Sequence, residues 1–527
     1  MQTTLRKLTV AWPLVIFPLF PAFTRGETAV QAWVQRYNGP GNGNDQASAI
    51  AVDGSNNVIV TGYSVDSGGV NSVYATIKYS SAGVPLWTNR YNGLANGDTE
   101  PHAVAVDGNN DVIVTGAVFV SGGYSDYATV KYSSAGLPLW TNCYNGPANS
   151  SDVAWAVVVD SSNNVTVTGA SYDGGSASDY ATIQYSSGGV PLWTNRYNGT
   201  GTGSDGARAV AVDGSNNVIV AGGSFGSSGS DDYATIQYSN TGVPLWTNRY
   251  NGPANGSDWI TAVAVDRSNS VIVTGNSASS VAGYDYATIK YSSAGVPLWT
   301  NRYNGPANGD DYATAVVVDG SNSVIVTGYS RISGGGSDYE TIKYSGEGVP
   351  LWTNRYNGSG IGYDRAYAVA VDGSGNVIVT GYSLGSIGPN SDYVTIKYSS
   401  AGVPLWTNRY NGPGNSTDAA AAVAVDHRGN VIVTGYSVGN GADFATVKYI
   451  CVPSPVLTGL PPTNGAFQLR VDDVLQPGTL VIEASTNLST TNWAPLFTNT
   501  TPTNALFYTD PDASNAPTRF YRAFQFP

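Results

Sequence analysis

Good helix formers are scarce in this sequence: there is one Met and there are five Glu among 527 residues. Val, Ile, Thr, Tyr and Trp are plentiful instead, which suits half-buried strands. Positive charge is also scarce. Lys and Arg number 24 against 37 Asp and Glu, for a formal net charge of −13. A nucleic-acid binder needs a basic footprint to displace counterions, so that class is excluded, and the same sign disfavours docking on anionic lipid. His102 and His427 are the only histidines and lie far apart, so neither a His metal cluster nor a Ser-His-Asp triad is in view. Cys143 lies in the second repeat and Cys451 follows the last, so the two are not expected to bridge and there is no disulfide framework. Charged residues make up only 12% of the chain, yet apolar residues reach 41%, enough for a packed core and against disorder.

The N-terminus has the layout of a secretory signal peptide. Arg6 and Lys7 precede an apolar run, Leu8–Phe23, and small residues follow, placing cleavage near residue 26. The run is short and carries Pro13, Pro18 and Pro21, so it does not suit a membrane span, and no transmembrane segment is expected in the mature chain. An uncleaved N-terminal anchor is the alternative. The expected destination is secretion or the cell surface.

What dominates the rest is a repeat. Trp33, Trp87, Trp140, Trp193, Trp246, Trp299, Trp352 and Trp406 recur every 53 or 54 residues. So do Asp53, Asp107, Asp160, Asp213, Asp266, Asp319, Asp372 and Asp426. A fixed period of this size signals a radial or stacked array. Each period holds four strand-like runs, typified by TAVVVD (strand A), VIVTGYS (B), DYATIKY (C) and LWTNRY (D). Short Gly/Ser/Asn turns join A to B and C to D, as hairpins require. Four antiparallel strands in about 50 residues is the size of a propeller blade. The chain begins with a lone D strand at Trp33–Tyr37 and ends its last repeat after a C strand, Phe444–Tyr449. The reading is an all-β, eight-bladed β-propeller over residues 30–449, closed by its N-terminal strand so that no edge is left bare. A Pro-rich linker at 450–465 and a small all-β C-terminal module at 466–527 follow.

The A-V-D-G-S-N-N-V-I-V-T-G-Y-S run at 51–64, the D-Y-A-T-I-K opening of strand C and the L-W-T-N-R-Y-N-G close resemble the SBBP-type β-propeller repeat family of secreted bacterial proteins. The resemblance covers about residues 33–449. It implies a fold and an extracellular setting, and no single activity. The family name suggests seven blades, whereas eight repeats are counted here. ASTNL (484–488), Trp493, FYTDPDA (507–513) and RFYRA (519–523) resemble the terminal module of many secreted bacterial repeat proteins.

The D–A and B–C connections are longer and vary most between repeats, so that face is the candidate binding face for a protein or glycan ligand. It carries one set of recurrent carboxylates, Asp45, Asp98, Asp152, Asp205, Asp258, Asp311, Asp364 and Asp418. A second set opens strand C: Asp126, Asp179, Asp232, Asp285, Asp338, Asp392 and Asp443, with Val73 in the first repeat. Two readings stand side by side. The first set forms an acidic ring holding Ca²⁺ through oxygen ligands, or each Asp accepts backbone N–H groups and locks its own loop. Eight equal copies favour loop locking, and no other cofactor is called for. GGSFG (222–226) and GTGSDG (201–206) match enzyme patterns without the strand-to-helix context those patterns need. Glu100 beside His102 reads as a solvated loop pair. The Trp ladder reads as packing between blades. The SAGVPLW turn resembles the blade-docking motifs of quinoprotein dehydrogenases, but the adjacent Cys pair typical of those enzymes is missing. The expected function is non-enzymatic binding or scaffolding, with no catalytic residue assigned. The alternatives are a quinone-dependent or polysaccharide-acting enzyme and a periplasmic assembly platform.

Overall fold

A computed structural model describes residues 27–527, apart from 94–96, 121, 174–176, 228, 281–282, 359–361, 386–389, 454, 464–465, 473–478, 486–493, 501, 503–504, 512–519 and 527. Residues 1–26, which carry the expected signal peptide, and Trp493 lie outside the described residues. Among those residues every regular element is a strand, and no helix is long and apolar enough to cross a membrane.

The repeats fold as four-stranded antiparallel sheets that resemble propeller blades. In the first unit, strand A is Asp45–Val52, B is Val58–Val65, C is Ser72–Tyr79 and D is Pro85–Tyr91, hydrogen-bonded in that order. Seven sheets are continuous in sequence. In the eighth, Asp418–Val425, Val431–Val438 and Ala442–Pro453 are joined by the N-terminal strand Glu27–Tyr37, which pairs along Ala442–Pro453. Consecutive A strands pack on one another, and Asp418–Val425 also packs against Asp45–Val52.

The apolar core lies between neighbouring sheets. Val58 and Val60 face Ile432 and Phe444 of the eighth unit, while Ile59 and Tyr74 face the second unit. Strand B is therefore buried on both faces, which is why it reads VIV without polar alternation. Each A strand carries a bulge, at Ser48 in the first unit, where its register against strand B slips by one residue. The glycine of VIVTG lies against this bulge; a Cβ at Gly62 would run into the Gln46 carbonyl.

Sheets are also stitched by polar bonds. Every D-strand indole except that of the seventh unit lies on the C–D turn glycine of the next unit, as Trp87 does on Gly136, whose φ of 85° and close approach to the ring leave no room for a side chain. The Trp87 Nε1–H donates to the Ser134 carbonyl at 3.2 Å, and Trp33 makes the same bond from the eighth unit to Ser81 of the first. In the seventh unit there is no following C–D turn, and Glu27 replaces its carbonyl. Its Oε1 accepts from Trp406 Nε1 at 3.1 Å and Lys397 Nζ at 2.6 Å.

The Pro-rich stretch 450–465 is not the linker the composition predicts. Residues 450–453 extend the last C strand, and Val456–Thr463 is a strand paired with Ala466–Asp472. Proline is accommodated because Pro453 ends its strand and Pro461 and Pro462 fall in a register slip. The C-terminal module comprises two three-stranded sheets around Leu469, Val471, Leu480 and Ile482.

Candidate functional site

The first carboxylate set sits at the head of strand A, buried. Asp45, Asp152, Asp205, Asp258, Asp311, Asp364 and Asp418 each accept the N–H of the glycine six residues earlier, at 2.5–2.8 Å. The other oxygen accepts a strand-B N–H in several units, such as Val65 to Asp45 at 3.0 Å. These carboxylates therefore lock the D–A loop. Burial raises the carboxyls of Asp152, Asp205, Asp258, Asp311 and Asp418 above the ordinary range, and the N–H bonds only partly offset it. Asp98 does not belong with them. Thr99 occupies the strand-head register, and exposed Asp98 bonds the N–H and hydroxyl of Ser72 instead. Among the described residues no three His, Cys, Asp or Glu side chains converge as a metal ion requires.

The second set pairs with the D-strand arginines. Arg36–Asp443, Arg196–Asp179, Arg249–Asp232, Arg302–Asp285 and Arg409–Asp392 lie at 2.8–3.0 Å, and Arg355–Asp338 at 3.3 Å. Asp126 lacks this partner because Cys143 stands where the others have Arg. Burial, then the Asp152 charge, push its carboxyl up to about 6. A third pairing escaped the sequence reading. C-strand lysines reach the Asp that ends strand A: Lys78–Asp53, Lys131–Asp107, Lys290–Asp266, Lys343–Asp319, Lys397–Asp372 and Lys448–Asp426, all at 2.7–2.8 Å. Burial alone would raise Asp53, Asp319, Asp372 and Asp426. The ammonium groups and turn N–H bonds outweigh it and hold them below the ordinary range. The DGSNN turn is thus a self-satisfied hairpin: Asp53 Oδ1 accepts from Ser55 and Asn57 backbone N–H at 2.9 and 2.8 Å.

With the repeated carboxylates occupied, asymmetry lies elsewhere. The second residue and the bulge residue of strand A differ from unit to unit. They read Gln46/Ser48, Glu100/His102, Val153/Trp155, Gly206/Arg208, Trp259/Thr261, Tyr312/Thr314, Arg365/Tyr367 and Ala419/Ala421. The second residue pairs across to a strand-B residue that varies too, as Tyr312 does with Tyr329 and Arg365 with Tyr382. Both columns lie toward the end of the sheets that bears the D–A and B–C loops.

They assemble into two aromatic–cationic groups. In units two to four, His102 stacks on Trp155 with centroids 4.2 Å apart, and the Arg208 guanidinium carbon lies 4.0 Å from the Trp155 ring. His102 is a strand residue with only 16% of its side chain exposed, so the solvated-loop reading of the Glu100–His102 pair is corrected. The Ala154 carbonyl can only accept, so His102 Nδ1 carries the hydrogen of their 2.8 Å bond. Burial lowers the imidazole from its ordinary value, keeping it neutral near pH 7. In units five to seven, Trp259, Tyr284, Tyr312 and Tyr329 form a chain of rings with centroids 5.2–5.7 Å apart. The Arg365 guanidinium carbon then lies 4.6 Å from Tyr329 and 5.2 Å from Tyr363. Burial first, then the Asp310 charge, push the Tyr312 phenol up to about 12, so it is a hydrogen-bond donor at neutral pH. The signal for these residues was available as the variable columns of an otherwise uniform strand A. The bulge hid which way they point. GGSFG lies in and just after strand B, where Ser224 receives Arg249, so it forms no nucleophile elbow.

No family model matches the chain, and no curated protein matches it. Solved structures similar to it include an unknown-function protein from Dyadobacter fermentans DSM 18053, at 11% identity and TM-score 0.38, covering 80% of this chain and 99% of that one. A eukaryotic initiation factor shares 9% identity with TM-score 0.35, covering 76% of this chain and 91% of that one. A glucose dehydrogenase shares 12% identity with TM-score 0.33, covering 57% and 95%. These similarities carry no argument about activity.

Proposed function

We propose that the eight sheets form a closed eight-bladed propeller, latched by Glu27–Tyr37, that acts as a non-enzymatic binding scaffold outside the cell. The closing contacts support the ring: the N-terminal strand pairs with the last unit, Trp33 and Lys448 bond the Ser81 carbonyl, and Arg90 donates to Tyr37 at 2.8 Å. The basic-then-apolar composition of residues 1–23 supports export. Engagement of the repeated carboxylates by arginine, lysine or backbone N–H supports a binding role over acid–base chemistry.

One observation carries the binding face. Departures from the repeat gather at the strand-A positions beside the D–A and B–C loops, and among them Trp155, Trp259, Tyr312, Tyr367, Arg208 and Arg365 are of the types that dominate binding hot spots. The test compares the full chain with a variant reverted toward plain repeat residues, Trp155→Ala, Trp259→Ala and Arg365→Ala, on glycan and peptide arrays. Binding by the parent that the folded variant loses is expected. Equal binding by both overturns this assignment of the face.

A further inference from the structure

Between units six and seven, a cleft of about 220 Å³ opens on this face. Tyr312, Tyr329 and Tyr363 wall it, and Arg365, Arg331 and Asp310 supply its charge. Arg365 is the cation at the floor of this cleft. The D-strand arginines outside the first unit hold a carboxylate, but among the described residues none lies within 4 Å of the Arg365 guanidinium. Its Nε is buried without a hydrogen-bond partner, and its charge is flanked by two phenol rings. The side chain is half-buried and the Tyr367 hydroxyl is its polar neighbour, so no formal negative charge balances it. In a chain of net charge −13, a guanidinium with no carboxylate partner, set among aromatic rings at a cleft, marks a seat for an anion.

We propose that this cleft is a subsite for a carboxylated sugar ring, a uronate unit of an acidic polysaccharide. The inference rests on the reading that this face binds a ligand. The guanidinium fork suits a planar carboxylate, and Arg331, more than half exposed and only 3.7 Å from Asp310, is free to swing to the same group. Tyr363, 48% exposed, offers a flat apolar face to the C–H surface of a sugar ring. Asp310 and the Tyr312 hydroxyl accept from and donate to ring hydroxyls. A second negative charge beside Asp310 is disfavoured, which selects a monoanion over a phosphate dianion. The volume lies below the roughly 300–1,000 Å³ of drug-sized pockets and suits one ring. An acidic peptide fits less well. Peptides gain affinity here by strand pairing, but the adjoining backbone is already used: Ser337 N–H donates to the Gly362 carbonyl at 3.0 Å.

The test is calorimetric titration of the full chain with trigalacturonate, its methyl ester and a hexaglutamate peptide. Arg365→Gln and Tyr363→Ala are titrated in parallel, the second being an exposed change that leaves the fold intact. Trigalacturonate should bind; methyl esterification and Arg365→Gln should weaken it at least about tenfold, as loss of a charge-assisted contact does, and Tyr363→Ala should weaken it about threefold or more, as loss of an aromatic face does. Binding that ignores the ester or both variants overturns the subsite. Hexaglutamate binding as tightly as trigalacturonate overturns the sugar assignment. No binding of trigalacturonate overturns the proposal, while an array ligand lost by the reverted variant would leave the broader reading standing.

Discussion

Restoring the missing arginine of the second unit is the sharpest test of how the repeat is held together. Seven units place a D-strand guanidinium on a strand-B serine, and six of those also reach the Asp of strand C. In the second unit Val118 and Cys143 stand at the serine and arginine positions, and Thr99 heads strand A, leaving Asp126 alone. The double change Val118→Ser/Cys143→Arg rebuilds the seat. Asp126 has a folded-state value of about 6, above its ordinary 3.8, so its ionisation is penalised in the fold. That penalty is absent at low pH, grows as pH rises from about 4 to 6 and is constant above. Returning the group to the ordinary range is worth roughly 1–2 kcal/mol at pH 8 once solvent screening is allowed for, and about half as much at pH 5. The assay is urea unfolding followed by tryptophan fluorescence, with Asp126→Asn made in both backgrounds. In the natural chain Asp126→Asn should stabilise at pH 8. In the rebuilt unit it should destabilise, giving a coupling energy of about 1–3 kcal/mol. A coupling near zero at pH 8, or equal couplings at pH 5 and pH 8, refutes the reasoning.

Two further outcomes follow from named contacts. Glu27→Ala removes the acceptor shared by Trp406 and Lys397, so it should destabilise the chain by about 1–3 kcal/mol, and deletion of 27–38 should do so far more than deletion of 466–527; equal unfolding midpoints for the two deletions argue against a latch. Glu340 replaces the small apolar residue of other C strands, and burial pushes its carboxyl up to about 7, with Arg355 partly opposing the shift. Its ionisation is penalised increasingly as pH rises from about 4.5 to 7, so Glu340→Ala should stabilise by on the order of 2–3 kcal/mol at pH 8 and little at pH 4.5, read from urea midpoints at both values.

Much of the architecture is written in the period itself. Local hydrogen-bond and steric requirements repeat with the chain, so each copy announces its own strands and turns. Trp beside a turn glycine, the double-sided VIV strand and the unpaired D strand at the N-terminus all follow from spacing, and the pairing of Glu27–Tyr37 with Ala442–Pro453 is the partner that phase demanded. Residues 450–465 misled because proline composition was read as a break, although the prolines fall at a strand end and a register slip that need no N–H.

The candidate site was legible only in part. The sequence placed the recurrent aspartates on one face, but their roles depend on contacts across strands and units. Gly39 reaches Asp45 within one loop, whereas Arg36 must cross 407 residues to reach Asp443. Tertiary structure also decided which variable residues meet. A bulge breaks the two-residue alternation of strand A, so no period count could say that His102 stacks on Trp155 or that Arg365 lies between Tyr329 and Tyr363. The sequence by itself determined a repeating all-β scaffold, because backbone geometry is local. Packing between neighbouring units decided where the scaffold stops being uniform, because only there do side chains from different copies share one space.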